Sequence, residues 1–592
     1  MKWKAEYEHY LLRAFLRDLA FLFLTSYGIV ALLQMSFGSE IDIPWLGLTP
    51  AVLIINCLIV ATPMLTWSFL IDARALSLVS LVSAAGFSYL NHRKIRELGE
   101  PIELLDFYNF QASHIIFRYL GRRELLAMGA LLTLPFAYRF AANRLWRKKR
   151  PWVMPHFFYA SITAGLIAVF VVICAEPFRD NSVLLAALPP HPDHADSSRR
   201  FGMPLSSILN LKFLQAFHPN NYSEEVVRSL VSLRPTVAPE TLKTHDVVLV
   251  LLESFRDYSL DGIAYRQDPI PFYHRLKKES LVGSFYSPGV GGGTANVEYE
   301  VLSGMSMAFL PKNSIPYLQY VDHDIPSAAG WLTMAGYESF AIHNNIGTYF
   351  DRQRVYKTFK FKEFFDLLAF KREFGPHGDG SYPDHYVFEK SLQLLHKRNG
   401  KPQFQYLLTL NTHSPYAGFE PEKEWIAPDS YDDADLALEM NVYADRLHKL
   451  DSELERYFGE IKKMKNPPTV ILFGDHHPSM SLQLPFPNEG ARHKVEAVIW
   501  NERSGLRLSA GTKPMSCLAP VLLHSSGVPA TPFMEFVQKF CDDHLFTGPI
   551  TVTSKNVKEL AGYEILCYDR LFGHKFSTPT SLQRIPGSPP EY

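Results

Sequence analysis

The sequence predicts two structural classes in one chain: a multi-pass α-helical membrane domain with five spans, then an α/β domain built on a central, mostly parallel sheet. Three observations carry this reading. Five long apolar runs crowd into residues 14–175, and a bilayer crossing takes roughly 20 residues. Beyond residue 245, short β-rich runs alternate with amphipathic helical stretches, the pattern of βαβ units. Four of those β runs end in polar, metal-capable side chains, and open α/β sheets bind ligands beyond the carboxyl ends of their strands.

The apolar runs are 14–35, 48–71, 75–90, 124–142 and 155–175. Five of them in so short a stretch argue against buried helices of a large soluble protein. The first lacks a small-residue cleavage site and more runs follow it, which argues against a cleaved signal peptide. Lys2, Lys4, Arg13 and Arg17 precede or enter the first run, and Arg139, Arg144, Arg147, Lys148, Lys149 and Arg150 lie between the fourth and fifth. Lys and Arg favour the cytoplasmic side, so an odd span count places everything after residue 176 outside. The loop 91–123 runs against this rule, with Arg93, Lys94 and Arg96 among its bases. Its interspersed acids make it read as a membrane-surface element. A net charge of −1 gives no reason to expect a nucleic-acid partner. The 5 cysteines show no zinc spacing. Cys517, Cys541 and Cys567 fall outside the membrane, where one disulfide has room to form but its pairing cannot be read.

Residues 176–240 read as a Pro-rich linker with short helices, one of them starting near Asn221 with Asn or Ser as its cap. The expected strands are 246–252, 338–342, 404–410, 469–474 and 495–500, and the expected helices include 325–335, 384–398 and 436–463. After the first strand come Glu253 and Ser254; after the second, His343-Asn344-Asn345; after the third, Asn411-Thr412-His413; after the fourth, Asp475-His476-His477. One histidine beside a strand is usually a surface or core residue. Four strands delivering such groups to one edge describe a site.

Glu253, Asp475 and His476 form a mixed oxygen and nitrogen set that suits a divalent cation: Mn²⁺, Mg²⁺ or Zn²⁺. Thr294 ends the glycine-rich stretch GVGGGT (289–294) at a helix start. Such loops usually cradle phosphate with backbone N–H groups, yet no lysine follows, so the nucleotide P-loop pattern is absent. A threonine hydroxyl is a poor nucleophile until something stabilises its alkoxide. A metal ion and a helix N-terminus both favour negative charge there. The plainer role, capping the helix, does not call for a glycine run in front.

The motifs LLESF (251–255), GGGTANVEYEVLSG (291–304), NTHSPY (411–416) and FGDHHP (473–478) resemble the lipoteichoic acid synthase and phosphoglycerol transferase family of the alkaline phosphatase/sulfatase superfamily. The resemblance extends to five spans before an extracytoplasmic catalytic domain, here 241–576 after a transmembrane domain 1–175, with 577–592 as a disordered tail. It implies a metal site of Glu253, Thr294, Asp475 and His476, with Mn²⁺ the favoured ion and Thr294 the nucleophile. It also implies substrate contacts at His343, Arg352 and His413, with Arg352 gripping phosphate oxygens in bidentate fashion. Phe350 stands where relatives carry tryptophan, so the glycerol pocket is expected to differ. No role is implied for His477 or His493.

The resemblance thus implies an enzyme of the cytoplasmic membrane that moves glycerol phosphate from phosphatidylglycerol, through a phosphothreonine intermediate, to an envelope glycan, a glycolipid or a polyglycerolphosphate chain. It needs no nucleotide and no nucleic acid. The spans would keep the site beside its lipid donor. A sulfatase would need Cys or Ser in C/S-x-P-x-R where this chain has TANVE. A phosphoethanolamine transferase on the same fold is the alternative. A non-catalytic membrane sensor would show a broken motif, and none of the four is broken.

Overall fold

A computed structural model describes residues 2–37, 47–67, 73–98, 101–102, 156–175, 186–188, 194–210 and 218–231. From 244 to 577 it describes all but 312–313, 379–381, 398–399, 427–432, 485 and 553–556. The chain divides into two compact units, Met1–Gln215 and Ala216–Tyr592.

In the first unit, helices α1 (Lys2–Met35), α2 (Pro50–Trp67), α3 (Ala73–Leu98) and α4 (His156–Ala175) coincide with four of the five apolar runs. The run at 124–142 and the basic loop 139–150 lie outside the described residues. Among the described residues no helix is long and apolar enough to cross a membrane. The five-span expectation is therefore not shown by these helices: α2 has 18 residues, about 27 Å at ~1.5 Å per residue, and α3 ends in the charged stretch HRKIREL. Residues 194–209 form two short helices that pack into this unit. Leu205 and Leu209 join Val52, Leu53 and Cys57 in one apolar cluster. The buried amide of Asn56 ties them down: Nδ2 donates to the carbonyls of Val52 (2.8 Å) and Phe201 (2.7 Å), and Oδ1 accepts from Leu205 N (3.0 Å). That last bond satisfies a first-turn N–H that the helix itself cannot pair.

The second unit is an α/β domain around an eight-stranded sheet in the order β4-β3-β5-β1-β6-β7-β2-β8. Its strands are β1 Val247–Leu252, β2 Leu281–Tyr286, β3 Glu338–His343, β4 Glu363–Phe365, β5 Gln403–Leu408, β6 Thr469–Gly474, β7 Lys494–Trp500 and β8 Lys513–Pro514. All five expected strands are present within a residue or two. β1, β5 and β6 are buried along their whole length, as expected of parallel strands covered on both faces, which read as near-continuous Val/Leu/Ile runs. β4-β3-β5-β1-β6 are parallel, and β7 runs antiparallel to both β6 and β2. β2, β4 and β8 were not expected. β2 contains Gly283 and is only partly buried, and the other two are too short to show a period. The helix expected near Asn221 is Glu224–Leu230, capped by Ser223, whose side chain accepts from Val226 N. A disulfide joins Cys517 and Cys541, while Cys567 is free and buried.

Candidate active site

The sheet fixes the site by register. β1 pairs with β6 in parallel so that Leu252 faces Gly474. The next residues, Glu253 and Asp475, therefore leave adjacent strands side by side, about 4.8 Å apart in the pairing direction. Immediately after Glu253 the chain turns at Ser254, whose φ of 50° is left-handed, a conformation that persists in non-glycine residues only where surroundings enforce it. Those surroundings are visible: Ser254 N donates to Asp475 Oδ1 (2.7 Å), its hydroxyl donates to Glu253 Oε1 (2.8 Å), and its carbonyl accepts from the Tyr443 hydroxyl (2.8 Å).

The glycine stretch brings in the third element. Gly293 caps helix α5 (Thr294–Ser303) with φ 92°, a conformation that favours glycine. At Gly289 a Cβ would lie 2.4 Å from the Gly292 carbonyl oxygen, so the loop doubles back too tightly for a side chain. The loop is pinned where Gly291 N donates to the His477 carbonyl (2.9 Å). Thr294 is thus the first helical residue and makes no side-chain cap. Its hydroxyl instead donates to Glu253 Oε2 at 3.2 Å and lies 3.4 Å from His476 Nε2.

Glu253, Asp475 and His476 offer ligand atoms that all lie within 4.8 Å of one another. His476 Nδ1 lies 2.9 Å from the His477 carbonyl, an acceptor only, so Nδ1 carries the proton and Nε2 presents its lone pair. Asp475 Oδ2 is 3.1 Å from that Nε2 and makes no hydrogen bond. Two buried acceptors that close fit a shared cation. The electrostatics agree. Burial and the Glu253 charge push the Asp475 carboxyl well above the ordinary carboxylate range. Burial lowers His476 despite Glu253, keeping it neutral as a ligand must be. Burial alone would raise Glu253, but His413, His476 and the Ser254 and Thr294 hydroxyls together hold it below its usual value.

The other expected residues gather on the β3–β5 side. His343 ends β3 opposite Leu408, with Nδ1 3.2 Å from the Leu408 carbonyl, which leaves Nε2 as an acceptor. Burial and the Arg352 charge keep it neutral, well below the ordinary histidine range. His413 is partly exposed. Arg352 is the first residue of α6 (Arg352–Thr358). Its Nε (3.0 Å) and Nη2 (2.6 Å) both donate to Glu298 Oε1 on α5, leaving only Nη1 without a partner. Glu298 thereby takes one N–H each from Nε and Nη2, and the edge formed by Nη1 and the second N–H of Nη2 keeps its donors. The Phe350 ring centre lies 5.2 Å from the Arg352 guanidinium carbon. His477 is buried, with Nε2 on the Lys494 carbonyl (2.8 Å), and His493 Nδ1 meets the Ser287 carbonyl (2.8 Å). Both histidines anchor loops. Sequence reasoning overlooked Glu298, although its signal was present four residues after Thr294. It also overlooked Asp384, which accepts from Leu410 N, Asn411 N and Asn344 Nδ2 and so braces the loop carrying His413.

The sulfatase family matches residues 245–520, from β1 past Asp475 and His476. Over 428 residues the chain is 27% identical to a putative cyclic beta-1,2-glucan modification protein of Rhizobium meliloti (strain 1021), covering 67% of this chain and 65% of that protein. Over 241 residues it is 24% identical to lipoteichoic acid synthase 2 of Bacillus subtilis (strain 168), covering 39% of this chain and 35% of the synthase. The chain thus spans about two thirds of the first relative and about one third of the second. Two solved structures share the fold. The Streptococcus pyogenes phosphoglycerol transferase GacH, in complex with sn-glycerol-1-phosphate, aligns with TM-score 0.51 at 20% identity, over 61% of this chain and 97% of that one. The integral membrane protein lipooligosaccharide phosphoethanolamine transferase A of Neisseria meningitidis aligns with TM-score 0.55 at 14% identity, over 86% and 95%. The likeness to both structures is one of fold.

Proposed function

We propose that the chain is a metal-dependent phosphoglycerol transferase that moves glycerol phosphate from phosphatidylglycerol to an envelope glycan through a covalent threonine intermediate. The observation that carries this reading is the Thr294 hydroxyl, aimed by its helix at Glu253 and His476 rather than spent on a cap. Glu253, Asp475 and His476 would hold the cation, with Mn²⁺ our choice, and Thr294 would complete the set. A divalent ion there supplies Lewis-acid stabilisation of negative charge on oxygen.

The chain's own residues account for the rest. Thr294 gives up its hydroxyl proton to solvent; its Oγ then bonds to phosphorus as the bond to diacylglycerol breaks, and the start of α5 favours the charge that builds on the phosphoryl oxygens. His413, the more open of the two histidines, protonates the departing oxygen. His343, held neutral with Nε2 as acceptor, receives a glycerol hydroxyl. Arg352 Nη1 contacts one phosphate oxygen. The acceptor hydroxyl then displaces Thr294 by the same chemistry in reverse.

A glycan acceptor is favoured by the relative that is, by name, a glucan modification protein. Residence at the cytoplasmic membrane with the sulfatase domain outside is supported by the apolar runs. It is supported further by Phe21, Phe23, Leu24, Ile54, Val171 and Val172, which the first unit's helices leave exposed. The Cys517–Cys541 disulfide suits an oxidising compartment. The test is diacylglycerol release from phosphatidylglycerol by the full-length protein, expected to stop on chelation and return with Mn²⁺. Release that ignores the chelator contradicts the reading, and release from phosphatidylethanolamine alone replaces the donor.

A further inference from the structure

We infer that Glu298 is a positioning residue for phosphate capture: it fixes the Arg352 guanidinium against the helix that carries Thr294 and leaves Nη1 for a substrate oxygen. The inference rests on the phosphoryl-transfer reading above and adds to it a residue that acts through another.

Glu298 lies four residues after Thr294 on α5, so the two side chains share one face of the helix, a turn apart. Its carboxylate is fully buried and saturated with donors. Oε1 takes Arg352 Nε and Nη2, while Oε2 takes the hydroxyls of Tyr356 and Tyr317 (the latter at 3.4 Å). The arginine across from it is not saturated. Arg352 is 2% exposed, yet Nη1 has no partner. A buried ion pair that served only the fold would satisfy both members, because an orphaned donor on a buried charge is costly. We place the unspent donor on the substrate side because its partner Glu298 shares a face of α5 with Thr294.

The backbone makes the same point. Phe350 (φ 54°) and Asp351 (φ 55°) are consecutive left-handed residues directly before Arg352, and a bulky side chain is a clear outlier there. Asp351 N on the Thr348 carbonyl (2.9 Å) and Arg354 on the Asp351 carboxylate hold the turn. The chain adopts a disfavoured path to deliver Arg352 to Glu298, and Glu298 sits on the nucleophile's own helix. Nucleophile and phosphate ligand are thereby held to one rigid element, as productive geometry requires.

Steady-state kinetics of the full-length protein on phosphatidylglycerol test this with Glu298→Gln, Arg352→Gln and the double variant. Glu298→Gln keeps the side-chain shape but frees the arginine's charge and orientation. We expect kcat to fall about 10- to 100-fold while KM stays within about threefold or decreases. In the Arg352→Gln background the same change should cost nothing further, since a residue that acts only through its partner is fully coupled to it. Tyr356→Phe, which removes one donor to Oε2, should give a smaller kcat loss that also vanishes in that background, and it decides the matter if Glu298→Gln does not fold. An equal loss with and without Arg352 overturns the inference and makes Glu298 purely structural. So does an unchanged kcat in Glu298→Gln beside an impaired Arg352→Gln. Wild-type kinetics in Arg352→Gln would instead contradict the role given to Arg352 itself.

Discussion

Four buried carboxylates on or beside helix α5 meet two different fates. Glu298 is matched by an arginine and two tyrosines. Glu300 is matched by Met307 N (2.8 Å), Ser516 N (3.1 Å) and the Ser306 hydroxyl (3.1 Å), and burial lifts it only to about 7. Glu253 and Asp475, by contrast, stand side by side at the ends of β1 and β6, and Asp475 Oδ2 faces a histidine lone pair with no hydrogen bond at all. Glu298 and Glu300 are satisfied by the chain. Asp475 Oδ2 is left without a hydrogen bond beside the Nε2 lone pair of His476, and a cation held between them would complete both. Natural sites often give up stability in this way for function.

The contrast can be pressed with substitutions, starting with the largest effect. Thr294→Ala should lower diacylglycerol release by roughly 10³-fold or more, as loss of a group acting at the reacting atoms usually does, with the melting temperature unchanged. Asp475→Asn should abolish turnover to a similar degree yet stabilise the metal-free protein by ~1 kcal/mol, because its amide would donate to His476 Nε2. Glu300→Gln should do the opposite, costing ~1–3 kcal/mol by facing an amide at Ser516 N–H while leaving a folded enzyme active. Chemical denaturation in chelator reads both signs, and equal signs would erase the distinction. Mn²⁺ at 100 times its dissociation constant should stabilise the wild type by ~2.7 kcal/mol and Asp475→Asn by much less.

Two further effects lie away from the site and serve as controls. The disulfide closes a loop over a sequence separation of 24, so Cys517→Ser/Cys541→Ser should cost about 3 kcal/mol with kcat retained at low temperature. His274 bridges Asp257 and Asp268, both at 2.8 Å. Chiefly the Asp257 hydrogen bond raises it from an ordinary 6.5 to about 9. Its folded pKa is the higher one, so its contribution is complete below pH 6.5 and disappears as pH climbs through 9. Stability measured against pH should show a decline over that window that His274→Gln flattens.

Much of this was legible in the sequence because the strongest signals are local. VVLVLL and TVILFG announce central strands by composition, and the polar residue ending each falls where parallel pairing must put it. The glycine run marked Thr294 because a tight loop and a left-handed cap both exclude side chains. What could not be read was settled by tertiary partners. The anchor of Arg352 was hidden because nothing local shows that Glu298, 54 residues earlier, would accept from its Nε and Nη2. The strand β2 hid behind a glycine and a half-exposed face. The cysteine pairing depended on which helix ends the fold brings together.

The central claim is that Thr294 becomes covalently phosphorylated, and rapid-quench intact-mass analysis of the full-length protein with Mn²⁺ and phosphatidylglycerol tests it directly. The account predicts a glycerol-phosphate adduct that maps to Thr294, forms as diacylglycerol appears and is lost in Thr294→Ala. Sustained diacylglycerol release by Thr294→Ala, or an adduct on any other residue, would contradict it.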